Sequence, residues 1–313
     1  MSYTNRIFGA AVVKAINANY NADFSGQPRT LPNGVVYATD KALKYAIKNY
    51  LKDVYTLEKI FYFKRFNDEF IPYSLDGAFA AMFPEHKDEK DKKVVAKDLL
   101  SCIDVRLFGA TFAKKSKNNN VAISIHGPVQ INHGVNIWNE NNFYSEQIMS
   151  PFRNPNEDSE DNSATTLGRQ TRLHEGHYLH HFSVNPKNLE DIIALAGDGV
   201  KDISEDDIEK LREALQKGVT YYDSAAKAGC ENEALIWVTL KENSKLVLPN
   251  FSQLIKMSKE KTKEGKVILD LSELKTVLDS NKKELQSVKI YLNKASVEID
   301  QVNIPEYVTV CDI

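Results

Sequence analysis

The stretch RIFGAAVVKAINAN, residues 6 to 19, constrains the fold more than any other part of the chain. Its middle is almost continuously apolar and β-branched, a pattern typical of a strand that is buried on both faces. Such a strand lies at the centre of a sheet. The next residues, YNADFSGQPRTLPNG, are dense in Gly, Pro, Asn and Ser. They predict a long loop, and loops held by a rigid strand often carry binding residues.

A second strand signal lies at residues 121 to 138, VAISIHGPVQINHGVNIW. Apolar residues at odd positions alternate with Ser, His, Gln and Asn at even positions, which predicts a half-buried sheet segment bent at Gly127 and Pro128. The polar stretch that follows, to about residue 171, has no lasting periodicity. It is either a functional arm or partly disordered.

The stretch RLHEGHYLHH, residues 172 to 181, raises the question of a metal site. A helical zinc-protease motif needs a second histidine four positions after the first, but Tyr178 stands four positions after His174. With a period of two the stretch reads as a strand, on which His177 and His181 share one face and His180 points to the other, and we expect His174 to lie beyond the strand end. Because too few ligands converge, we expect no metal and interpret these histidines as hydrogen-bonding or stacking groups.

Two helices have clear start signals. TDKALKYAIKNYLK has Thr39 as an N-cap, and SEDDIEKLREALQKG has Ser204 as an N-cap, Asp207 three residues later and Gly218 as a stop. The remaining predicted elements are a strand-like run at 57 to 66, a core-like segment at 101 to 113, a short helix at 220 to 229, a strand at 231 to 241, a helix around 271 to 286 and a strand at 294 to 299. This order predicts an α+β fold of the split βαβ, ferredoxin-like type, with an antiparallel sheet backed by helices. Two insertions enlarge it, at 67 to 98 and at 138 to 175.

Composition narrows the function classes. No apolar run approaches the roughly 20 residues that span a bilayer, so we expect a soluble, cytoplasmic protein without membrane contacts. The net charge of −3 argues against a broadly basic, nucleic-acid-coating surface. The three cysteines are far apart and form no CxxC pair, and neither a P-loop nor a GxGxxG motif occurs. We therefore expect no cofactor and read the cysteines as inert thiols.

A local basic track is compatible with this charge. On the predicted helix after the long loop, three lysines share a face: Lys41, Lys44 and Lys48. They are either a solvated stripe or, together with the loop amides, a grip on phosphates that reads no sequence. Further candidates for RNA contact are the cations Arg169 and Arg172 and the uncharged donors Asn17, Asn19, Gln130 and His133.

Seven segments together resemble one known family. They are FGAAVVKAINANYNADFSGQPRTLPNG, YATDKALKYAIKNYL, LLSCIDVRLFGATFA, SIHGPVQINHGVN, YSEQIMSPFRNPN, ATTLGRQTRLHEGHYLHHFSVNP and YYDSAAKAGCENEALIWVTLK. In order and wording they are similar to the Cas-seven backbone subunit of type I-B CRISPR Cascade, a CRISPR RNA-binding branch of the RAMP superfamily. The resemblance runs from about residue 5 to about residue 300.

The resemblance implies a non-enzymatic protein of antiviral defence. Its fold would be a single modified RRM palm over residues 1 to 313, with a helical, finger-like insertion at 67 to 98 and a thumb at 138 to 175. Copies would assemble side by side along one CRISPR RNA with other Cascade subunits, and present the guide for pairing with target DNA.

The resemblance also suggests roles for individual residues. Ser25, Gln27 and Arg29 would join Lys41 and Lys44 in gripping phosphates. Met149 and Phe152 would wedge at a flipped nucleotide or dock on a neighbour. Arg106 would be a support or a backbone contact, with Asp104 as its partner. Arg172 and His174 would touch RNA where the thumb returns to the palm, and His177 and His181 would lie on the sheet face.

Two other functions are weighed against this one. Related type III backbone subunits cut target RNA with a loop aspartate and a metal, and Asp23 is placed to imitate that residue. A single carboxylate without visible partners makes a poor divalent-metal site. A DNA-binding regulator is the third possibility, but no helix-turn-helix pattern is evident.

Overall fold

The central strand predicted at residues 6 to 19 is present in a computed structural model of the protein. The structure describes residues 2 to 116, 119 to 138, 142 to 153, 164 to 300 and 304 to 313. Strand β1 (Ile7–Ala18) lies between β8 (Ala164–Val184) and β9 (Cys230–Leu240) and is antiparallel to both. It is buried over most of its length, so the prediction of a strand covered on both faces is confirmed.

Helices and strands alternate irregularly along the described residues. The helices are α1 (Asp40–Val54), α2 (Leu75–Met82), α3 (Lys92–Leu100), α4 (Ile103–Phe108), α5 (Glu190–Ala196), α6 (Glu205–Tyr221) and α7 (Ser272–Ser280). The other strands are β2 (Tyr37–Ala38), β3 (Gly109–Ser116), β4 (Asn119–His126), β5 (Val129–Ile131), β6 (Gly134–Asn136), β7 (Phe143–Arg153), β10 (Lys256–Met257), β11 (Val267–Asp270), β12 (Leu285–Leu292), β13 (Val297–Ile299) and β14 (Val308–Asp312).

The main sheet contains a ferredoxin-like unit. In the order β14-β12-β9-β1-β8-β6-β2, four consecutive strands are β9, β1, β8 and β6. Along the chain these elements run β1, α1, β6, β8, α6 and β9, with each pair of neighbouring strands antiparallel. Strand β8 is thus inserted between β1 and β6, and β1 between β8 and β9, which is the double split βαβ arrangement. The predicted α+β class is confirmed.

Both faces of this sheet are covered. Odd-numbered residues of β1, such as Ile7 and Val13, pack in a core with α1 and α6. Even-numbered residues, such as Phe8 and Val12, pack in a second core with α7 and the small sheet β10-β11-β13. An RRM commonly binds RNA on its open sheet face. Because the C-terminal elements occupy that face here, RNA contacts are to be sought at the edges and loops of the palm.

Several element predictions are wrong. Residues 57 to 66 form no strand, and residues 222 to 229 form turns instead of a helix. Helix α6 does not stop at Gly218 but continues to Tyr221. A Cβ on Gly218 would lie 3.1 Å from the Ala46 carbonyl oxygen, so this glycine permits close packing of α6 on α1. The capping box of Ser204 and Asp207 is confirmed.

The two predicted insertions contain different kinds of structure. Helix α2 and most of α3 lie within residues 67 to 98. Residues 138 to 175 include a β-hairpin of β7 and the first half of β8, paired from Phe143 with Leu173 to Arg153 with Ala164. We call this hairpin the arm. Because β8 continues into the palm beside β1, the arm is a direct extension of a central strand. The acidic sequence NEDSED, residues 156 to 161, lies outside the described residues.

Candidate nucleic-acid interface

The loop after β1 is held in one shape by Asp23. Its Oδ1 atom accepts hydrogen bonds from the Ser25 amide at 2.8 Å, the Ser25 hydroxyl at 2.7 Å and the Gln27 amide at 3.0 Å. Gly26 has a φ of +81°, which glycine adopts without strain. The hydrogen bond from Ser25, supported by the Gln27 amide, lowers the pKa of Asp23 below its ordinary value. The tip of the loop, residues 23 to 27, is therefore a structured turn.

The loop tip packs against the base of the arm. The Asn19 side-chain amide donates to the carbonyl oxygens of Gly26 and Thr171, both at 3.2 Å. A Cβ on Gly26 would lie 4.0 Å from the Arg169 carbonyl oxygen. We call this region, residues 17 to 29 with residues 169 to 174, the palm–arm junction. It brings together seven of the predicted RNA contacts and places His174 beside them: Asn17, Asn19, Ser25, Gln27, Arg29, Arg169 and Arg172.

The turn at residues 225 to 229, which was predicted to be part of a helix, contacts the junction. The Arg172 guanidinium donates from Nη1 to the Asn17 carbonyl oxygen at 2.9 Å and from Nη2 to the Ala225 carbonyl oxygen at 3.3 Å. The Lys227 ammonium donates to the Tyr20 carbonyl oxygen, and burial lowers the pKa of Lys227. Arg172 thus fastens the arm to the palm, and no local sequence signal pointed to Ala225 or Lys227.

Other junction side chains face solvent. Ser25, Gln27, Arg169 and His174 are exposed. Arg29 is half-buried, since its Nε donates to the Ala22 carbonyl oxygen at 3.1 Å. A cation and hydrogen-bond donors are therefore available around the loop tip for anionic or polar ligands.

A second group of predicted residues surrounds the start of α1. The Lys41 side chain is 85% exposed, whereas Lys44 binds the Asp40 carboxylate at 3.1 Å. His133 lies 3.7 Å from the same carboxylate. Burial opposes ionisation of Asp40, but its bond to Lys44 outweighs burial and lowers the pKa of Asp40. Of the predicted lysine stripe, Lys41 is thus the exposed cation.

Asn21, which was not predicted as a site residue, ties this group to the loop. The Asn21 side-chain oxygen accepts from the Thr39 amide at 2.9 Å and from the Thr39 hydroxyl at 3.0 Å. This pair joins the start of the loop to the N-cap of α1. Asn21 stands in a stretch rich in turn-forming residues, which gave no reason to single it out.

Three predicted contacts lie elsewhere. The Lys48 ammonium donates to the Tyr62 carbonyl oxygen at 2.6 Å, and burial lowers its pKa. Gln130 is exposed on β5, which pairs with the last residues of β8, at the opposite end from the arm. Arg106 is only 3% exposed. Lys48 and Arg106 are committed to internal contacts, so we leave both out of the interface proposed below.

The predicted partner of Arg106 is wrong. Arg106 binds the Asp207 carboxylate, with 2.7 Å between Nη2 and Oδ1. The Asp104 carboxylate instead accepts from the amides of Phe61 and Tyr62, each at 2.8 Å. Asp104 and Arg106 both lie on helix α4, where side chains two positions apart do not face each other.

The histidines of RLHEGHYLHH lie on strand β8. This was predicted for His177, His180 and His181, whereas the expectation that His174 lies beyond the strand end is wrong. His177 and His181 point towards the C-terminal elements and His180 towards the helices: His181 accepts from the Phe251 amide at 3.3 Å, and His180 contacts Tyr20 at 3.4 Å. His177 is fully buried and binds the Glu233 carboxylate at 2.6 Å. The sheet face that His177 and His181 share is therefore covered. In the described residues no group of three or more His, Cys, Asp or Glu side chains could hold a metal ion.

The arm presents apolar side chains to solvent. The predicted wedge residues are both on β7, and Met149 is 54% and Phe152 76% exposed. Other exposed large apolar residues of the same strand are Phe143, Tyr144 and Ile148. The arm thus exposes five large apolar side chains along one strand.

Comparison with known proteins decides the family. The model of the family described as CRISPR-associated protein Cas7 matches residues 5 to 279. The chain belongs to the Cas7 family. The resemblance to the Cas-seven family is thereby confirmed, whereas the type I-B subtype stays a prediction. A search of curated proteins found no match.

Solved structures agree with this fold. A chain of a "CRISPR RNA-guided surveillance complex, pre-nicking" superposes with a TM-score of 0.54 at 12% identity, covering 98% of this chain and 96% of the other. A chain of a "CRISPR RNA-guided surveillance complex" gives a TM-score of 0.51 at 12% identity, covering 95% and 94%. At this identity the likeness shows the Cas7 fold alone.

In the described residues no helix is long and apolar enough to cross a membrane.

Proposed function

We propose that this Cas7-family protein is a non-catalytic, CRISPR RNA-binding backbone subunit of a type I-B Cascade surveillance complex. The family match over residues 5 to 279 carries the proposal. The palm–arm junction supports it, because exposed donors and a cation surround a loop whose shape is fixed. In this function, copies of the protein and other Cascade subunits assemble on one guide RNA in the cytoplasm, and the guide pairs with target DNA in antiviral defence.

The proposed phosphate contacts are the exposed or half-buried polar groups of the two clusters. At the junction these are Ser25, Gln27, Arg29, Arg169 and His174. At the start of α1 they are Lys41 and His133. Four other predicted contacts position these groups. Within the junction, Asn19 binds Thr171 and Arg172 binds the Asn17 carbonyl oxygen; at the start of α1, Lys44 binds Asp40. Such contacts would hold the RNA backbone without reading its sequence.

The arm has a different proposed role. Met149 and Phe152 would wedge beside a nucleotide or dock on the next copy, because apolar side chains inserted between bases can unstack them. We also propose that residues 138 to 175 are the thumb and that residues 67 to 98 are a finger-like insertion.

Copurification of RNA tests the function. The full-length protein is expressed together with its neighbouring subunits and a CRISPR transcript, and the bound nucleic acid is extracted and sequenced. We expect a discrete CRISPR RNA, and we expect the purified protein to bind single-stranded RNA with an affinity that falls as salt rises. A purified complex without RNA, or a protein that binds RNA no better at low salt, would contradict the proposal.

A further inference from the structure

One aromatic side chain at the palm–arm junction, Phe24, is fully exposed. Phe24 has 105% of its reference surface exposed, the highest value among the large apolar residues that the structure describes. It stands at the tip of the loop, in the stretch NADFSGQ, residues 21 to 27, where it is the one aromatic residue. A turn alone would favour a polar residue at this position.

The exposure of Phe24 is a property of an ordered turn. Ala22 and Pro28 form a β-bridge on either side of it. The Asp23 amide donates to the Gln27 carbonyl oxygen at 2.8 Å, and the Asp23 carboxylate caps Ser25 and Gln27. The backbone on both sides of Phe24 is thus fixed, so the ring is presented to solvent from a defined position.

A cation stands beside the ring. The Arg29 guanidinium carbon lies 6.0 Å from the centre of the Phe24 ring, within cation–π range. The bond from Arg29 Nε to Ala22 fixes one edge of the guanidinium. An aromatic face next to a held arginine suits a nucleotide, because the base stacks on the ring while the guanidinium faces the adjacent phosphate.

We infer that Phe24 is a stacking platform for one nucleobase of the bound single-stranded RNA, with Arg29 paired to the phosphate beside that base. The inference rests on the proposed RNA-binding function and adds a base contact to it. Because every base has a π-face, the platform would accept any of the four bases. The alternative occupant of an exposed phenyl ring is another protein surface, which the experiment distinguishes.

The test uses the full-length protein and a single-stranded RNA labelled with the fluorescent base 2-aminopurine at successive positions. Stacking quenches this base. Phe24→Ala and Phe24→Leu both remove the aromatic face, whereas Phe24→Tyr retains it. Leu57→Ala is the matched control, since Leu57 is 98% exposed and lies outside the junction. Affinity is measured by fluorescence anisotropy at several salt concentrations, and self-association by sedimentation.

We expect the wild type and Phe24→Tyr to quench the labelled base when they bind the RNA. Phe24→Ala and Phe24→Leu should lose that quenching and bind RNA about tenfold more weakly, the scale of one lost stacking contact. Their salt dependence should equal that of the wild type, because no charge is removed. The Leu57→Ala variant should behave as the wild type.

Other results would overturn the inference in distinguishable ways. Full affinity and quenching in Phe24→Leu would show that apolar surface, not stacking, is what matters. Unchanged RNA binding with weaker self-association would make Phe24 a protein contact. If the wild type binds RNA but Phe24→Ala is equal to it, the platform is refuted while the proposed function stands. If the wild type binds no RNA, both fail.

Discussion

Arg106 and Asp207 form a buried, two-point ion pair between helices α4 and α6. The distances are 3.1 Å from Nε to Oδ2 and 2.7 Å from Nη2 to Oδ1, and the two side chains are 4% and 2% exposed. Arg106 also donates to the carbonyl oxygens of Leu100 and Ser101. Asp207 completes the capping box of α6. One pair thus connects the C-terminal end of α3, α4 and the start of α6.

Breaking this pair should destabilise the protein. We expect Arg106→Ala to lower the free energy of unfolding by about 3–5 kcal/mol, because Asp207 would remain buried without its cation. Urea denaturation measures the change. Lys294→Ala is the control, since its ion pair with Asp312 is exposed and such pairs contribute little. A stable Arg106→Ala variant with weakened RNA binding would place Arg106 at the RNA instead.

Lys41 and Arg169 test the proposed phosphate contacts. Both are exposed cations, one at the start of α1 and one at the base of the arm. Each alanine substitution should weaken binding to all single-stranded RNAs alike and reduce the salt slope by about 1, because one phosphate contact is lost. Lys283→Ala, on the exposed turn before β12, should change neither quantity. An unchanged slope in both test variants would show that RNA lies elsewhere.

The parts of the fold that sequence predicts well are those in which one segment carries the whole signal. The apolar run of β1, the period of two in β8 and the helix starts at Thr39 and Ser204 are local patterns, although only the Ser204 side chain makes a capping hydrogen bond. Residues 57 to 66 have a strand-like composition, but they pack beside α4 and have no partner strand. This depends on contacts between residues far apart in sequence. Gly218 lies against Ala46 of α1, a contact between residues far apart in sequence, and α6 continues past it to Tyr221.

The site could be predicted in outline only. The loop after β1 and the base of the arm were recognised because turn residues and cations cluster there. Which cations remain exposed depends on partners distant in sequence: Asp207 neutralises Arg106, and Ala225 and Asn17 hold Arg172. Phe24 was not predicted as a site residue, because its exposure follows from the fold of the loop and not from a local sequence signal.

Substitutions of Asp23 distinguish a structural role of this residue from a catalytic one. Because its Oδ1 caps Ser25 and Gln27, we expect Asp23→Ala to loosen the loop tip and weaken RNA binding severalfold. Asp23→Asn keeps an acceptor oxygen and should bind RNA nearly as the wild type does. We expect that neither the wild type nor either variant cleaves a complementary RNA in the presence of Mg²⁺. Metal-dependent cleavage that both substitutions abolish would instead support the type III endoribonuclease alternative.

His177 should make stability depend on pH. Burial disfavours its charge, but the carboxylates of Glu175, 3.6 Å away, and Glu233, 2.6 Å away, outweigh burial and raise the pKa of His177 above its ordinary value near 6.5. The charged His177 therefore stabilises the folded protein fully at pH values below 6.5. This stabilisation is lost as pH rises through the raised pKa of His177. Glu175, which also binds Lys261, has a pKa of about 2 and stays ionised throughout. We expect the free energy of unfolding to fall above neutral pH by at most about 1.4 kcal/mol per pH unit. Urea denaturation from pH 6 to 9 measures it. Glu233→Gln should flatten this slope, and an equal slope in that variant would assign it to another group.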